Sequence, residues 1–181
     1  MVFKFTILSD EVDNFVRVIS IDSEATFLDL HHAILDSMKY EKNLLTSFFL
    51  CSDDWEKEQE ITLIEMYTDS EYDNFVMEDT KLEDLISDEK QKMIYVFDLL
   101  NERAFFMELS EIVPGIRIDK PECILSKGEA PAQTIADEEL IAGVNVNVDE
   151  NFYGDEHFDL TELDDEGFDS MSFDDSGIFD D

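Results

Sequence analysis

The chain has 181 residues, with 47 Asp and Glu against 12 Lys and Arg, for a formal charge of −35. That length suits one domain with an extension or two very small domains, and 15 Phe within a 44% hydrophobic composition exclude wholesale disorder. The acidity excludes a general nucleic-acid binder, which needs clustered Lys and Arg, and an anionic membrane surface; no run reaches the roughly 18 apolar residues of a membrane span.

Phe3, Phe5 and Ile7 alternate with polar neighbours and predict a strand, and this opening is too short in apolar residues for a signal peptide. Phe15 to Ile21 is a second β-rich run, joined to the first by a turn at Ser9–Asn14. Asp22-Ser23-Glu24-Ala25-Thr26 supplies helix-start chemistry, and Phe27, Leu30, Ile34 and Met38 recur at helical spacing, as do Leu28 and Leu35. Strands are expected at Leu44–Cys51 and Ile61–Tyr67, with Ser52-Asp53-Asp54 turning the chain between them. Thr80-Lys81-Leu82-Glu83-Asp84 opens a short helix at capping-box spacing. Met93–Leu100 and Ala104–Leu109 then form a hairpin about Asn101-Glu102-Arg103. This order predicts an α+β fold: a mixed or antiparallel sheet with one main crossing helix, a β-grasp-like start, and an acidic C-terminal tail.

Three regions are expected along the chain. Residues 1–133 form the core, ending in a linker at Glu129–Gln133. Residues 134–148 are a docking segment or linker, with a short helix from Asp137 to Ala142 and strand-like Val144, Val146 and Val148. Residues 149–181 are the tail. All 12 basic residues lie between Lys4 and Lys127, leaving 29 acids in residues 1–127 and 18 acids with no base in 128–181. From Asp149 onward, 14 acids interleave with six aromatics. Burying those rings gives about 2–3 kcal/mol each. Ordering the backbone costs roughly 1–2 kcal/mol per residue. Entropy wins, so the tail is expected to be disordered when free.

Few residues carry recognisable chemistry. His31 and His32 are helical neighbours whose side chains point about 100° apart and cannot chelate one ion, so one should sit near the core edge and one in water. Cys51 reads as a buried small hydrophobe; Cys123, between Pro121 and a turn at Lys127 and near Arg117 and Lys120, is the more reactive thiol. The 72 residues between them argue against a disulfide framework and for a reducing cytoplasm. Trp55 is expected to pack as a lid over the core. Two calcium-loop patterns in the tail fail at the closing ligand, Leu160 and Phe173, so no metal or cofactor is expected.

Several motifs in order give a resemblance. An alternating strand at Phe3–Leu8 precedes a strand with an Arg, Phe15-Val16-Arg17-Val18, and a helix with Leu30-His31. Asp98 stands in Phe97-Asp98-Leu99-Leu100-Asn101-Glu102-Arg103-Ala104-Phe105, and Pro121-Glu122-Cys123 leads to Gly128 and Pro131-Ala132-Gln133. From about Val2 to Gln133 the chain resembles the plasmid pRiA4b ORF-3-like family, found on plasmids, transposable elements and chromosomes. The resemblance implies a polar site from Gly, Asp, Trp, His and Glu-Asp positions. Here these are Leu100, Asn101, Arg103, Phe105, Ala132 and Gln133. A divergent member with a vestigial site at His31, Asp98 and Cys123 is the expectation.

The expected function is therefore a non-enzymatic interaction module. Its acidic-aromatic tail, through Phe158, Phe168, Phe173, Asp174, Asp175 and Phe179, would bind a basic protein partner, a DNA-binding protein among the candidates, with no direct nucleic-acid or membrane contact. The alternative is a degenerate metal-dependent hydrolase or nucleic-acid-modifying enzyme using Asp98 with Glu102 and Glu108.

Overall fold

In a computed structural model, residues 1–65 and 75–135 are described. Ten elements follow in order: β1 (Val2–Ser9), β2 (Val16–Asp22), α1 (Phe27–Met38), β3 (Ser47–Cys51), β4 (Lys57–Thr62), β5 (Phe75–Val76), α2 (Leu82–Leu85), β6 (Lys92–Asp98), β7 (Arg103–Val113) and β8 (Glu122–Lys127). They build an α+β fold on one eight-stranded sheet of order β5-β4-β3-β6-β7-β1-β2-β8. Every pairing is antiparallel except β4 with β5, so the sheet is mixed.

The opening hairpin follows from its alternation: Phe3, Phe5 and Ile7 of β1 and Ile19 and Ile21 of β2 face inward and are fully or nearly fully buried. The helix α1 begins where its cap allows. Thr26 Oγ1 accepts from the Asp29 N–H at 3.2 Å, and the Asp29 carboxylate accepts from the Thr26 N–H at 3.0 Å. Its buried stripe, Phe27, Leu30, His31, Ile34, Leu35 and Met38, covers the inner face of the sheet. Met77, Leu82 and Ile86 extend the same core around α2. The Asp84 carboxylate accepts from the Lys81 N–H at the start of α2, at 3.2 Å.

The expected strand at Ile61–Tyr67 is displaced: β4 is Lys57–Thr62, and only its last two residues lie in the expected span. Lys57, Glu58 and Glu60 are exposed, so the strand forms by pairing with β3 and carries little apolar signal. The third strand starts at Ser47, three residues later than expected, and β7 runs on to Val113. Sequence patterning missed β8, whose six residues are all exposed at the sheet edge. Residues 136–181, including the expected Asp137–Ala142 helix and the tail, lie outside the described residues.

On the outer face, opposite α1, a second apolar cluster gathers Cys51, Ile94 and Val96 with Phe49, Trp55, Ala104 and Phe106. Trp55 is thus a half-buried lid over this outer cluster and not over the main core, its ring edge-on to Phe106 at 5.1 Å.

Candidate functional site

The β6–β7 hairpin brings Asp98 opposite Arg103 in register. The Asp98 carboxylate accepts from the backbone N–H groups of Leu100 and Asn101, each at 3.2 Å, and from the Asn101 side-chain amide at 2.8 Å. It also lies 3.7 Å from the Arg103 guanidinium. Desolvation pushes its carboxyl up, but the Asn101, Leu100 and Arg103 interactions outweigh that and hold it below its ordinary value. Asp98 is a turn-closing residue whose carboxylate accepts three hydrogen bonds from its own turn.

Arg103 is the hub. Its Nε and Nη2 donate to the two Glu11 oxygens at 2.8 and 2.7 Å, and its Nη groups donate to the carbonyls of Ala132 (2.7 Å) and Gln133 (3.3 Å). The planar fork meets one carboxylate bidentately and still reaches two carbonyls, a geometry lysine cannot copy. The guanidinium carbon also stands 4.9 Å from the centre of the Phe97 ring.

Residues 128–133 are consequently a fastened strap and not the free linker expected from Glu129-Ala130-Pro131-Ala132-Gln133. Buried Arg17 donates to the carbonyls of Lys127 at 2.7 Å and Gly128 at 2.9 Å, and to Ser37 at the end of α1 at 3.4 Å. The Tyr40 hydroxyl donates to the Pro131 carbonyl, and burial pushes that phenol up to about 12. The Gln133 side-chain oxygen accepts from the Glu41 N–H and its amide donates to the Glu41 carbonyl, both at 2.8 Å. Gly128 has φ +74, and a Cβ there would stand 2.8 Å from the Asn14 carbonyl oxygen. Beneath the strap, Phe15 stacks on Phe105 at 5.4 Å and Phe97 on Phe105 at 4.6 Å.

The other expected site residues are elsewhere. His31 is 1% exposed, deeper than the core edge expected for it, and its Nδ1 stands within hydrogen-bond distance of the Tyr95 hydroxyl at 2.8 Å and of Thr46 Oγ1 at 3.2 Å. Burial, with the nearby charges of His32 and Lys42, lowers it to about 4, so the imidazole is neutral. His32 is half-buried and lines a groove of about 430 Å³ between α1 and the β8 side, together with Asp36, Lys120 and Cys123. Cys123 is exposed and lies within β8, between Pro121 and the strand end at Lys127. Its thiol donates to the Leu125 carbonyl at 3.3 Å. Cys51 is buried, and burial pushes its thiol up. Cys123 and His32 therefore line one groove, while His31 and Asp98 have separate partners.

Among the described residues, no three of His, Cys, Asp and Glu converge to hold a metal ion. Glu102 stays exposed, and Glu108 lies opposite Lys92 on the outer face. Glu11, Tyr40 and Glu41, which complete the strap network, carry no sequence signal: they are 91 or 92 residues from their partners. Phe158, Phe168, Phe173, Asp174, Asp175 and Phe179 lie outside the described residues. No helix among the described residues is long and apolar enough to cross a membrane.

The model of the plasmid pRiA4b ORF-3-like protein family matches residues 2–176, so the likeness runs well past Gln133, where the sequence motifs ended it. The crystal structure of a protein of unknown function, MM3350 from Methanosarcina mazei Go1, superposes with a TM-score of 0.51 at 22% identity, covering 69% of this chain and 68% of that one. No curated protein matches. The chain belongs to the plasmid pRiA4b ORF-3-like family.

Proposed function

We propose that this member of the family is a non-enzymatic, cytoplasmic interaction module whose acidic-aromatic segment, residues 149–181, binds a basic protein partner. The observation that carries the reading is the charge partition: every Lys and Arg precedes residue 128, and 18 acids follow without one. Aromatic side chains spaced through such a segment add apolar anchors to a charge-driven encounter, which gives specificity that charge alone does not. Phe158, Phe168, Phe173 and Phe179 are the anchors in this reading, with Asp174 and Asp175 as charge partners. The strap supports it, because the backbone is held to the core through Gln133, ahead of residues 149–181. A DNA-binding protein, with its cationic groove, is one partner of suitable chemistry.

The alternative, a metal-dependent enzyme built on Asp98, is disfavoured by the occupied carboxylate of that residue. A pull-down comparing the full-length protein with its Phe158/Phe168/Phe173/Phe179→Ala variant tests the proposal. Loss of a cationic partner from the variant is expected; identical partner sets would overturn it. Competition by salt, equal for both proteins, would reduce the segment to nonspecific electrostatics.

A further inference from the structure

The outer face of the sheet carries one continuous cross-strand row. Registers place Glu60 opposite Phe49, Phe49 opposite Ile94, Ile94 opposite Phe106, Phe106 opposite Leu8, Leu8 opposite Val16, and Val16 opposite Lys127. Directly opposed residues share a face, so these seven side chains form a single line across β4, β3, β6, β7, β1, β2 and β8. Five central members are apolar, and the two ends carry opposite charges. Leu8 is 46% exposed, and Glu60 and Lys127 are also exposed. Trp55 covers part of this cluster, Lys57 Nζ stands 4.4 Å over the Phe49 ring, and Ile94 is only 7% exposed, so the open part of the row is centred on Leu8 with half-buried Phe106 and Val16.

We propose that this face is a self-association surface that takes the same face of a second copy of the chain. A two-fold axis parallel to the central strand β7 reverses the row. Glu60 then meets Lys127 of the second copy at both ends, Phe49 meets the smaller Val16, Ile94 meets Leu8, and Phe106 lies at the axis. Two sheets packed face to face align within about 30° and stand about 10 Å apart, which such side chains fill. The row spans six strand spacings of about 4.8 Å, roughly 29 Å, and three rows deep it offers on the order of 500 Å² per copy. That lies at the small end of specific interfaces, so the dimer is weak and concentration-dependent. Trp55 stands near the centre, where interface anchors concentrate. Glu108, in the neighbouring row near the axis, has Lys92 of its own copy directly opposite in register. The occupant is a second copy because the row complements its own reverse in both charge and size; this surface is separate from the acidic segment proposed above to bind a partner.

Sedimentation velocity of the full chain over a wide concentration range tests this, with fluorescence of the single Trp as a second readout. Reversible dimerisation that blue-shifts Trp55 is expected. E60K alone and K127E alone each change net charge by two units in opposite directions, yet both should weaken association about tenfold by removing the end pairs. The combination E60K/K127E restores the pairs at the original net charge and should restore association. L8E, at an exposed position, should abolish it while leaving the melting curve of the monomer cooperative. A monomer at every concentration and salt level, or association indifferent to the charge reversals, would overturn the proposal.

Discussion

Protonating His31 opposes folding. Its imidazole is 1% exposed, so the charged form loses its hydration and meets the nearby charges of His32 and Lys42. The folded value of about 4 lies below the ordinary 6.5. Between those values the unfolded chain binds the extra proton, so stability is complete above pH 6.5 and declines as pH falls toward 4. Roughly 2–3 kcal/mol should be lost across that window, read from chemical denaturation at several pH values. His31→Asn, which keeps a small polar acceptor, should flatten the slope there; an unchanged slope would assign it to other groups. Asp98 acts lower on the scale. Its depressed carboxyl contributes stability above the ordinary carboxylate range and loses it as pH falls below. Asp98→Ala should cost about 2 kcal/mol by leaving the Leu100 and Asn101 N–H groups without their acceptor. Asp98→Asn, which keeps one oxygen, should cost less.

The strap is the element on which local sequence and long-range structure part company. Patterning found β1, β2 and α1 because each buries one face at its own period, and it found the β6–β7 hairpin because β6 is a continuous apolar run, buried on both faces, and β7 alternates. It missed β8, wholly exposed at the sheet edge, and displaced β4, whose exposed charges give little apolar signal, because each takes its geometry from the strand it pairs with. Residues 129–133 look like a linker since Pro and Ala set no period, and their bonds run to Tyr40, Glu41 and Arg103, which no local window contains. The family motif order did point at Asp98, Arg103, Ala132 and Gln133; their convergence needed the sheet to close. Gly128→Ala tests the strap's start: with φ +74 and a backbone oxygen 2.8 Å from the new Cβ, about 1–3 kcal/mol should be lost. Arg103→Lys tests its end. Losing the bidentate Glu11 pair should speed hydrogen exchange at Glu41, whose N–H the Gln133 side chain caps, while the β1–β2 amides stay protected. Exchange unchanged at Glu41 would mean that Arg103 does not hold the strap.

At the scale of the whole molecule, excess charge and ion pairing pull the salt response in opposite directions. Residues 1–127 carry 29 acids and 12 bases, an excess of 17 negative charges that folding draws together. Against that stand five ion pairs among the described residues, four with at least one partner well exposed. Exposed pairs contribute about 0–1 kcal/mol each and weaken in salt. The exception is the Asp98–Arg103 contact, where both side chains are 10% exposed, but its 3.7 Å separation makes it a looser pair than the Arg103–Glu11 fork. Repulsion acts over a Debye length, roughly 30 Å at 0.01 M ionic strength and about 8 Å at 0.15 M, so raising salt removes much of it while buried bonds persist. The melting temperature of the full chain should therefore rise by several degrees as sodium chloride increases between those limits. A flat or falling curve would show that the five pairs outweigh the excess acid. The same screening should tighten face-to-face self-association up to the point where the Glu60–Lys127 end pairs are themselves screened, so dimer affinity should pass through a maximum with salt. A basic partner of the acidic segment should instead bind more weakly at every step.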